Sequence, residues 1–209
     1  MGKPPPQAEG RDPKSTRKVI KPATQHLGEV RLIGGLWKRS KLPVTDRPGL
    51  RPTPDRVRET LFNWLGQSLS GWRVLDAFAG SGALGFEAAS RGAAEVLLLE
   101  NDPVLVDSLR ASRQRLGATA VRVERADAMA WMARSAPARF ELVLLDPPFE
   151  AEVGPMATTA ATRLLVESGF LYVESGVPLA ATLPGLALHR SLRAGAVHAG
   201  LYLRDARGP

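Results

Sequence analysis

Four carboxylates define the chemistry open to this chain: Asp76, Glu100, Asp127 and Asp146. Each stands at or just past the end of an apolar run that reads as a buried strand: Val74 with Leu75, Val96 to Leu99, Val121 with Val123, and Leu142 to Leu145. Four acids at four successive strand ends are hard to assign to solvation alone. Two motifs accompany them. Gly80-Ser81-Gly82-Ala83-Leu84-Gly85 follows Asp76 and leads into a helix carrying Leu84, Phe86 and Ala88. Asp146 opens Asp146-Pro147-Pro148-Phe149. A strand, a glycine turn and a helix let a polar ligand approach backbone N–H groups at the helix N-terminus.

The glycine motif matches G-x-G-x-x-G, and Glu100 lies twenty residues after Gly80, where an acid would hydrogen-bond ribose hydroxyls. Those two features fit a nicotinamide dinucleotide as well as any adenosine-containing cofactor. Asp76, four residues before the first glycine, separates the cases. Its charge would repel a pyrophosphate and suits a ligand with an ammonium or a cation. S-adenosylmethionine carries an α-amino group, a sulfonium and an adenosine, with no phosphate. The acids then divide: Asp76 toward the methionine end, Glu100 toward the ribose, Asp127 toward the adenine amine. Singly, each is also explained as a helix cap or a solvated loop end. For Asp127 the two readings weigh about equally, because it begins a helix.

Asp146-Pro147-Pro148-Phe149 is the sharpest short signal. Two prolines fix the backbone after the strand and hold its carbonyls in set directions. The Asp146 carboxylate and the Pro147 carbonyl are then two neighbouring acceptors. An exocyclic amine on a base offers two N–H donors, but its lone pair is delocalised into the ring. Two acceptors can orient it and free the lone pair for attack on a sulfonium methyl, while Phe149 stacks on the base. Most of the rate would come from positioning two reactants. The competing reading is a proline-rich loop around a packed Phe.

These residues need a scaffold, and the rest of the chain supplies one. From residue 72, strands alternate with helices: a helix near 82–91, a strand over Glu95–Glu100, a helix opened by Asp102-Pro103, a helix opened by Asp127, a helix over 156–167, and a fifth strand over Gly169–Glu174. Segments near 186–193 and 197–204 can pair as an antiparallel hairpin. Buried strands alternating with helices predict a parallel sheet covered on both faces, with ligands beyond the carboxyl ends of its strands. Upstream, Val30 to Trp37 reads as a short strand or hairpin with Gly34-Gly35 at its bend. Thr53-Pro54 reads as a helix cap and first turn, followed by Val57, Leu61, Trp64 and Leu65 on one face and Arg56 and Arg58 on the other. Trp64 reads as core. Trp37, among basic residues, could stack on a base, although packing is the stronger reading.

Charge is uneven. Residues 1–58 hold 14 Lys+Arg and 5 Asp+Glu, a net +9, against −2 for the remaining residues and +7 for the whole chain. A neutral body with a basic front suggests a polyanionic partner, with a merely solvated tail as the alternative. Residues 1–28 are rich in Pro, Lys and Arg and read as a disordered basic tail; 29–65 read as an N-terminal hairpin and helix, and 66–209 as the main domain. There is no cysteine, which excludes disulfides and thiolate metal sites and fits a cytoplasmic location. Neither a membrane span nor a signal peptide is expected. His26, His189 and His198 are scattered, and no metal site is expected.

Val74–Gly85 with Asp146–Phe149 resembles the class I S-adenosylmethionine-dependent methyltransferases that modify base amines. More narrowly, Ile33-Gly34-Gly35, Leu50-Arg51-Pro52-Thr53, Asp55–Leu65, Phe78–Leu84, Asp146–Phe149 and Tyr172-Val173-Glu174-Ser175 resemble the RsmD-type enzymes, which methylate N2 of a guanine in small-subunit (16S) ribosomal RNA. The resemblance runs from about residue 30 to the end. It implies a Rossmann-like α/β fold: a seven-stranded, mostly parallel sheet with the last strand antiparallel, helices on both faces, and a small N-terminal hairpin that helps hold RNA. It implies that Asp76, Phe78, Gly80, Ser81, Gly82, Glu100, Asn101, Asp127 and Ala128 bind the cofactor. Asp146, Pro147, Pro148 and Phe149 would then hold the guanine, with Lys38, Arg39, Lys41, Arg51, Thr53 and Arg56 on the RNA side. The implied partner is ribosomal RNA or an assembling small subunit, met by a monomer. The rival readings are an adenine-N6 methyltransferase, a nicotinamide-dependent dehydrogenase, and an RNA-binding protein with a vestigial cofactor fold. The absence of a catalytic His, Lys or Tyr at a strand end counts against the dehydrogenase. The intact Asp-Pro-Pro-Phe counts against the vestigial fold.

Overall fold

A computed structural model describes residues 1–2, 26–47, 53–147 and 155–205. Residues 3–25 of the expected tail lie outside them, as do Arg51, Pro148 and Phe149. The elements in chain order are β1 (His26–Arg31), β2 (Lys41–Thr45), α1 (Asp55–Trp64), β3 (Arg73–Asp76), α2 (Ala83–Ser90), β4 (Glu95–Glu100), α3 (Pro103–Leu116), β5 (Val121–Arg125), α4 (Ala128–Arg134), β6 (Phe140–Leu145), α5 (Pro155–Leu164), β7 (Leu165–Ser175), β8 (Thr182–Leu183), β9 (Leu186–Ala194) and β10 (Val197–Arg204). No helix among the described residues is long and apolar enough to cross a membrane.

β1 and β2 form a separate antiparallel pair, and the main sheet runs β5-β4-β3-β6-β7-β10-β9-β8. β3 to β7 are mutually parallel. β10 turns against β7, and β9 and β8 follow as hairpins. The sheet thus has eight strands rather than the expected seven. The extra one is the two-residue β8, which folds back on β9 through a turn where Gly185 takes a φ of 72°. The order reverses between β3 and β6, which opens a crevice beyond their carboxyl ends.

Alternate strand residues feed two cores. Val74, Leu142, Leu144, Tyr172 and Leu201 pack under α1, α2, α3 and the hairpin. Leu75, Val143, Leu145, Val173 and Tyr202 pack under α4 and α5. Trp64 and Trp37 both pack against the first core. Asp102 caps α3 as expected, accepting from the Val104 and Leu105 N–H groups at 2.7 and 3.4 Å with Pro103 behind it. α5 ends at Leu164 and β7 starts at once, earlier than the expected Gly169. Leu165 pairs with Phe140, and Ser168 at φ 58° absorbs a register shift before Gly169. Pairing to a neighbouring strand outweighs the helical pattern there.

The hairpin differs from expectation in two ways. Gly34 and Gly35 lie in a bend, but the strands are joined by the whole of residues 32–40 rather than by a short turn at the two glycines. Gly35 instead lets the loop lie on the end of α2, since a Cβ there would meet the Ser90 carbonyl at 1.8 Å. Second, Arg58 is fully buried rather than on the polar face of α1. Its guanidinium donates to the Arg31 carbonyl at 2.9 Å and to Asp55 at 2.5 Å, and lies 3.7 Å from Glu87. Glu87, also fully buried, accepts from the Ile33 and Gly34 N–H groups, both at 2.8 Å, and pairs with Arg91 at 2.8 Å.

Glu87 therefore binds the hairpin, α1 and α2 together. Glu87→Ala would leave two buried guanidiniums short of a partner, and should lower the unfolding free energy in urea by about 3–5 kcal/mol. A loss below about 1 kcal/mol, the worth of an exposed pair, would show that the cluster is not holding the fold.

Candidate active site

A cavity of about 660 Å³ opens beyond the carboxyl ends of β3, β4, β5 and β6. Asp76, Phe78, Gly80, Ser81, Glu100, Asn101, Asp127, Ala128, Asp146, Pro147 and Thr53 all line it. Sequence positions up to 93 apart thus meet in one crevice, because each acid ends a strand or follows one. Gly82 is not on the wall but makes it possible. It caps α2 at φ 79°, and a Cβ there would strike Leu109 at 2.6 Å and Phe86 at 2.7 Å.

The acids are held differently. Asp76 is buried, and its Oδ2 accepts from the Gly85 N–H at 3.0 Å. Its Oδ1 is buried without a partner. Burial, helped by the charge of Asp146, pushes the Asp76 carboxyl up to about 7, against the pull of the Gly85 N–H. Glu100 accepts three backbone donors: Gly80 N–H at 2.9 Å, Asn101 N–H at 2.7 Å and Asp102 N–H at 2.9 Å. It thereby ties the glycine turn to the end of β4 and keeps one lone-pair site for a ligand hydroxyl. Asp127 is a helix cap that also lies on the cavity wall. Its Oδ1 caps α4 by accepting from the Ala130 N–H at 2.7 Å, and the residue lines the cavity.

Asp146 is half-buried at the cavity wall. Thr53, expected as the cap of α1, donates its hydroxyl to Asp146 Oδ2 at 3.0 Å instead. Pro54 takes the cap position without a side-chain hydrogen bond. The hydroxyl is spent on the carboxylate, so α1 starts at Asp55, whose own carboxylate holds Arg58.

A model of the family described as conserved hypothetical protein 95 matches residues 30–203. Over 199 residues the chain is 44% identical to ribosomal RNA small subunit methyltransferase D of Escherichia coli K12, covering 90% of this chain and 96% of that protein. It is 41% identical over 153 residues to the protein of the same name from Haemophilus influenzae, covering 71% and 79%. The chain belongs to the methyltransferase D family. Its fold agrees: the solved structure of YhhF from Escherichia coli is 42% identical, with a TM-score of 0.76 over 86% of this chain and 100% of that one.

The basic residues expected on the RNA side are divided. Lys38 and Arg39 sit in the hairpin loop, which is fastened to the carboxyl end of α2 through Leu36 N–H to the Ser90 carbonyl at 2.7 Å. The cavity is at the other end of that helix, about 12 Å away for eight residues at 1.5 Å each. Lys41 pairs with Glu29 at 2.6 Å and lines a second hollow with Arg31, Asp55 and Thr53. Arg56 is exposed on α1. Of this set, Thr53 alone among the described residues reaches the cavity. Other cavity residues escaped sequence reasoning. Arg47, from the loop after β2, lines the wall and pairs with Asp102 at 2.9 Å. Arg125, at the end of β5, also lines it. Neither belongs to a motif, so no local signal marks them.

The raised Asp76 has a consequence for stability. Unfolded, its pKa is the ordinary 3.8; folded, it is about 7. The folded chain therefore holds a proton that the unfolded chain has released. This contribution is fully present below pH 4 and is lost as pH rises through 7. Asp76→Asn should flatten the fall in melting temperature between pH 5 and 8. An identical pH slope in both proteins would show that Asp76 keeps an ordinary pKa.

Proposed function

We propose that this chain transfers a methyl group from S-adenosylmethionine to the exocyclic N2 amine of a guanine in small-subunit (16S) ribosomal RNA. The observation that carries the reading is that Asp76, Glu100 and Asp127 share one cavity with Asp146 and Pro147. The residues fit the cofactor. The buried, partnerless Oδ1 of Asp76 calls for a donor, and the raised pKa of that carboxyl calls for a positive charge; an α-ammonium offers both. Ser81 and Phe78 line the same stretch of wall. Glu100 and Asp127 keep acceptor capacity for a ribose hydroxyl and an adenine amine. The names of the family's relatives, which carry ribosomal RNA methylation, support the reaction class.

When bound, the cofactor supplies an electrophilic methyl group. The chain supplies position. Asp146 accepts one N–H of the amine and the Pro147 carbonyl accepts the other, which turns the nitrogen lone pair toward the cavity. Thr53 fixes the Asp146 carboxylate by its hydrogen bond, leaving Oδ1 for the amine. The amine sheds a proton after attack, and Asp146 is the nearest acceptor. A guanine in a duplex must first be flipped from its stack. On this reading Phe149 stacks on the base, and Arg51, Lys38, Lys41 and Arg56 contact RNA phosphates. The enzyme acts as a cytoplasmic monomer on ribosomal RNA, free or in an assembling small subunit.

Mass spectrometry of ribosomal RNA from cells with and without the gene tests the product. Loss of one N2-methylguanosine is expected; loss of N6-methyladenosine would favour the adenine enzyme. Asp146→Ala should keep cofactor affinity and lower methyl transfer by about 100-fold or more. Unchanged turnover would remove Asp146 from the reaction. Deleting residues 1–25, just ahead of β1, should weaken RNA binding and reduce its salt dependence, because the tail's contacts would be to phosphates. An unchanged salt slope would show that the tail is not an RNA arm.

A further inference from the structure

Among the described residues two guanidiniums stand on the cavity wall, Arg47 and Arg125, against five carboxylates: Asp76, Glu100, Asp102, Asp127 and Asp146. Arg125 is partly engaged, since its Nε donates to the Asn101 carbonyl at 3.3 Å. Arg47 is not. Its Nε lies 2.9 Å from Asp102 Oδ2 as an ion pair, but off the line that a hydrogen bond needs, and it is buried with no hydrogen-bond partner. Nothing else among the described residues bonds this guanidinium. An arginine carries five N–H donors and no acceptor. Arg47 therefore presents an unused fork of donors at the cavity.

Local structure holds it there. Leu42, Val44 and Thr45 of β2 are buried, and Val44 packs with Val30 and with Ala83, the first residue of α2. Ala83 is itself on the cavity wall, so the chain leaves β2 at the cavity's edge. Arg47, two residues past the end of β2, reaches the start of α3 from that point. The Asp102 carboxyl that faces it is fixed from behind, because its Oδ1 accepts from the Val104 and Leu105 N–H groups. The Asp102 N–H in turn donates to Glu100 Oε1 at 2.9 Å. Arg47 and Glu100 thus flank one residue, the first bringing only donors and the second only acceptors.

Such a pair fits a vicinal diol. A ribose hydroxyl that gives its hydrogen to Glu100 keeps lone pairs that a carboxylate cannot satisfy. A guanidinium beside the same acid satisfies them with charge-assisted hydrogen bonds. A phosphate is the other group that suits a free guanidinium, but five carboxylates on the same wall oppose a further anion. We propose that Arg47 is a cofactor-binding residue that donates to the ribose hydroxyls of S-adenosylmethionine and completes, with Glu100, a donor–acceptor clamp on the diol. The inference rests on the methyl-transfer reading and adds to it a cofactor contact made from the loop after β2. The ribose hydroxyls are not the reacting atoms, so the contact strengthens binding equally before and during transfer.

Calorimetry on the full chain with S-adenosylhomocysteine and with its 2′,3′-dideoxy analogue tests this. Arg47→Met keeps an unbranched stem and removes every donor. It should weaken S-adenosylhomocysteine by about 10-fold or more, as for a lost hydrogen bond to a charged group, yet leave the dideoxy analogue within about 2-fold of its wild-type affinity. Arg47→Lys should recover about 3-fold of the loss. The cofactor KM of Arg47→Met should rise about 10-fold with kcat within about 2-fold. The melting temperature of the ligand-free variant should not move, since a half-exposed ion pair adds little stability. Unchanged affinity for S-adenosylhomocysteine in Arg47→Met would overturn the proposal. If RNA binding then weakens with a smaller salt slope, Arg47 is a phosphate contact instead. Equal losses for the two ligands would also overturn it, because the guanidinium would then not be reading the diol. The wild-type chain separates the two levels. If it binds no S-adenosylhomocysteine, the methyl-transfer reading fails and takes this inference with it; if it binds and Arg47→Met binds equally well, only this inference fails.

Discussion

Carboxylates that end adjacent parallel strands cannot avoid one another. Register brings Asp76, Asp146 and Glu174 to one end of one face of the sheet, and burial denies water to Asp76 and Glu174 and restricts it at Asp146. Like charges in such a place must be neutralised by protons, by donors or by a ligand. The chain uses hydroxyls from Thr53 and Tyr172 and the Gly85 N–H, and leaves one oxygen of Asp76 with nothing. The loop before α1, the glycine turn and the β7 strand are thereby all tied to the same few atoms. The site is built from a shortage of positive charge, which a cationic ligand relieves.

The hairpin is secured by the opposite chemistry. Here two buried guanidiniums surround one buried carboxylate, and the backbone of the hairpin loop donates to that carboxylate. α2 joins the two regions: its first turn caps the cavity and its last turn carries the hairpin. A displacement of the hairpin would be felt along a single short helix.

The sheet and the crevice were legible because they rest on local pattern. Apolar runs ending in acids marked the strands, Asp102-Pro103 marked a helix start, and the acids themselves marked the carboxyl ends beyond which the cavity lies. What stayed hidden depends on partners far away in sequence. Arg58 looks like any exposed arginine beside Arg56, and only Glu87, which has no motif, buries it. Thr53 carries every sign of a cap, yet its hydroxyl is claimed by Asp146, 93 residues later. Tyr172 and Glu174 belonged to a recognisable motif, but their meeting with Asp146 follows from strand register. That Lys38 and Arg39 sit away from the cavity was also hidden, because the position of Gly35 against Ser90 decides where the loop lies.

The two rims of the sheet bear on how the protein behaves in a crowd. An open strand edge is a template for pairing with another chain. On one rim the two-residue β8 covers only Leu186 and Ala187 of β9, and the rest of that strand's edge carries exposed His189, Arg190 and Arg193. On the other, Arg122 of β5 is exposed and pairs with Glu124 at 3.3 Å. A stranger's backbone would have to strip water from these charges to add itself there. Charge on both rims thus works against edge-to-edge growth.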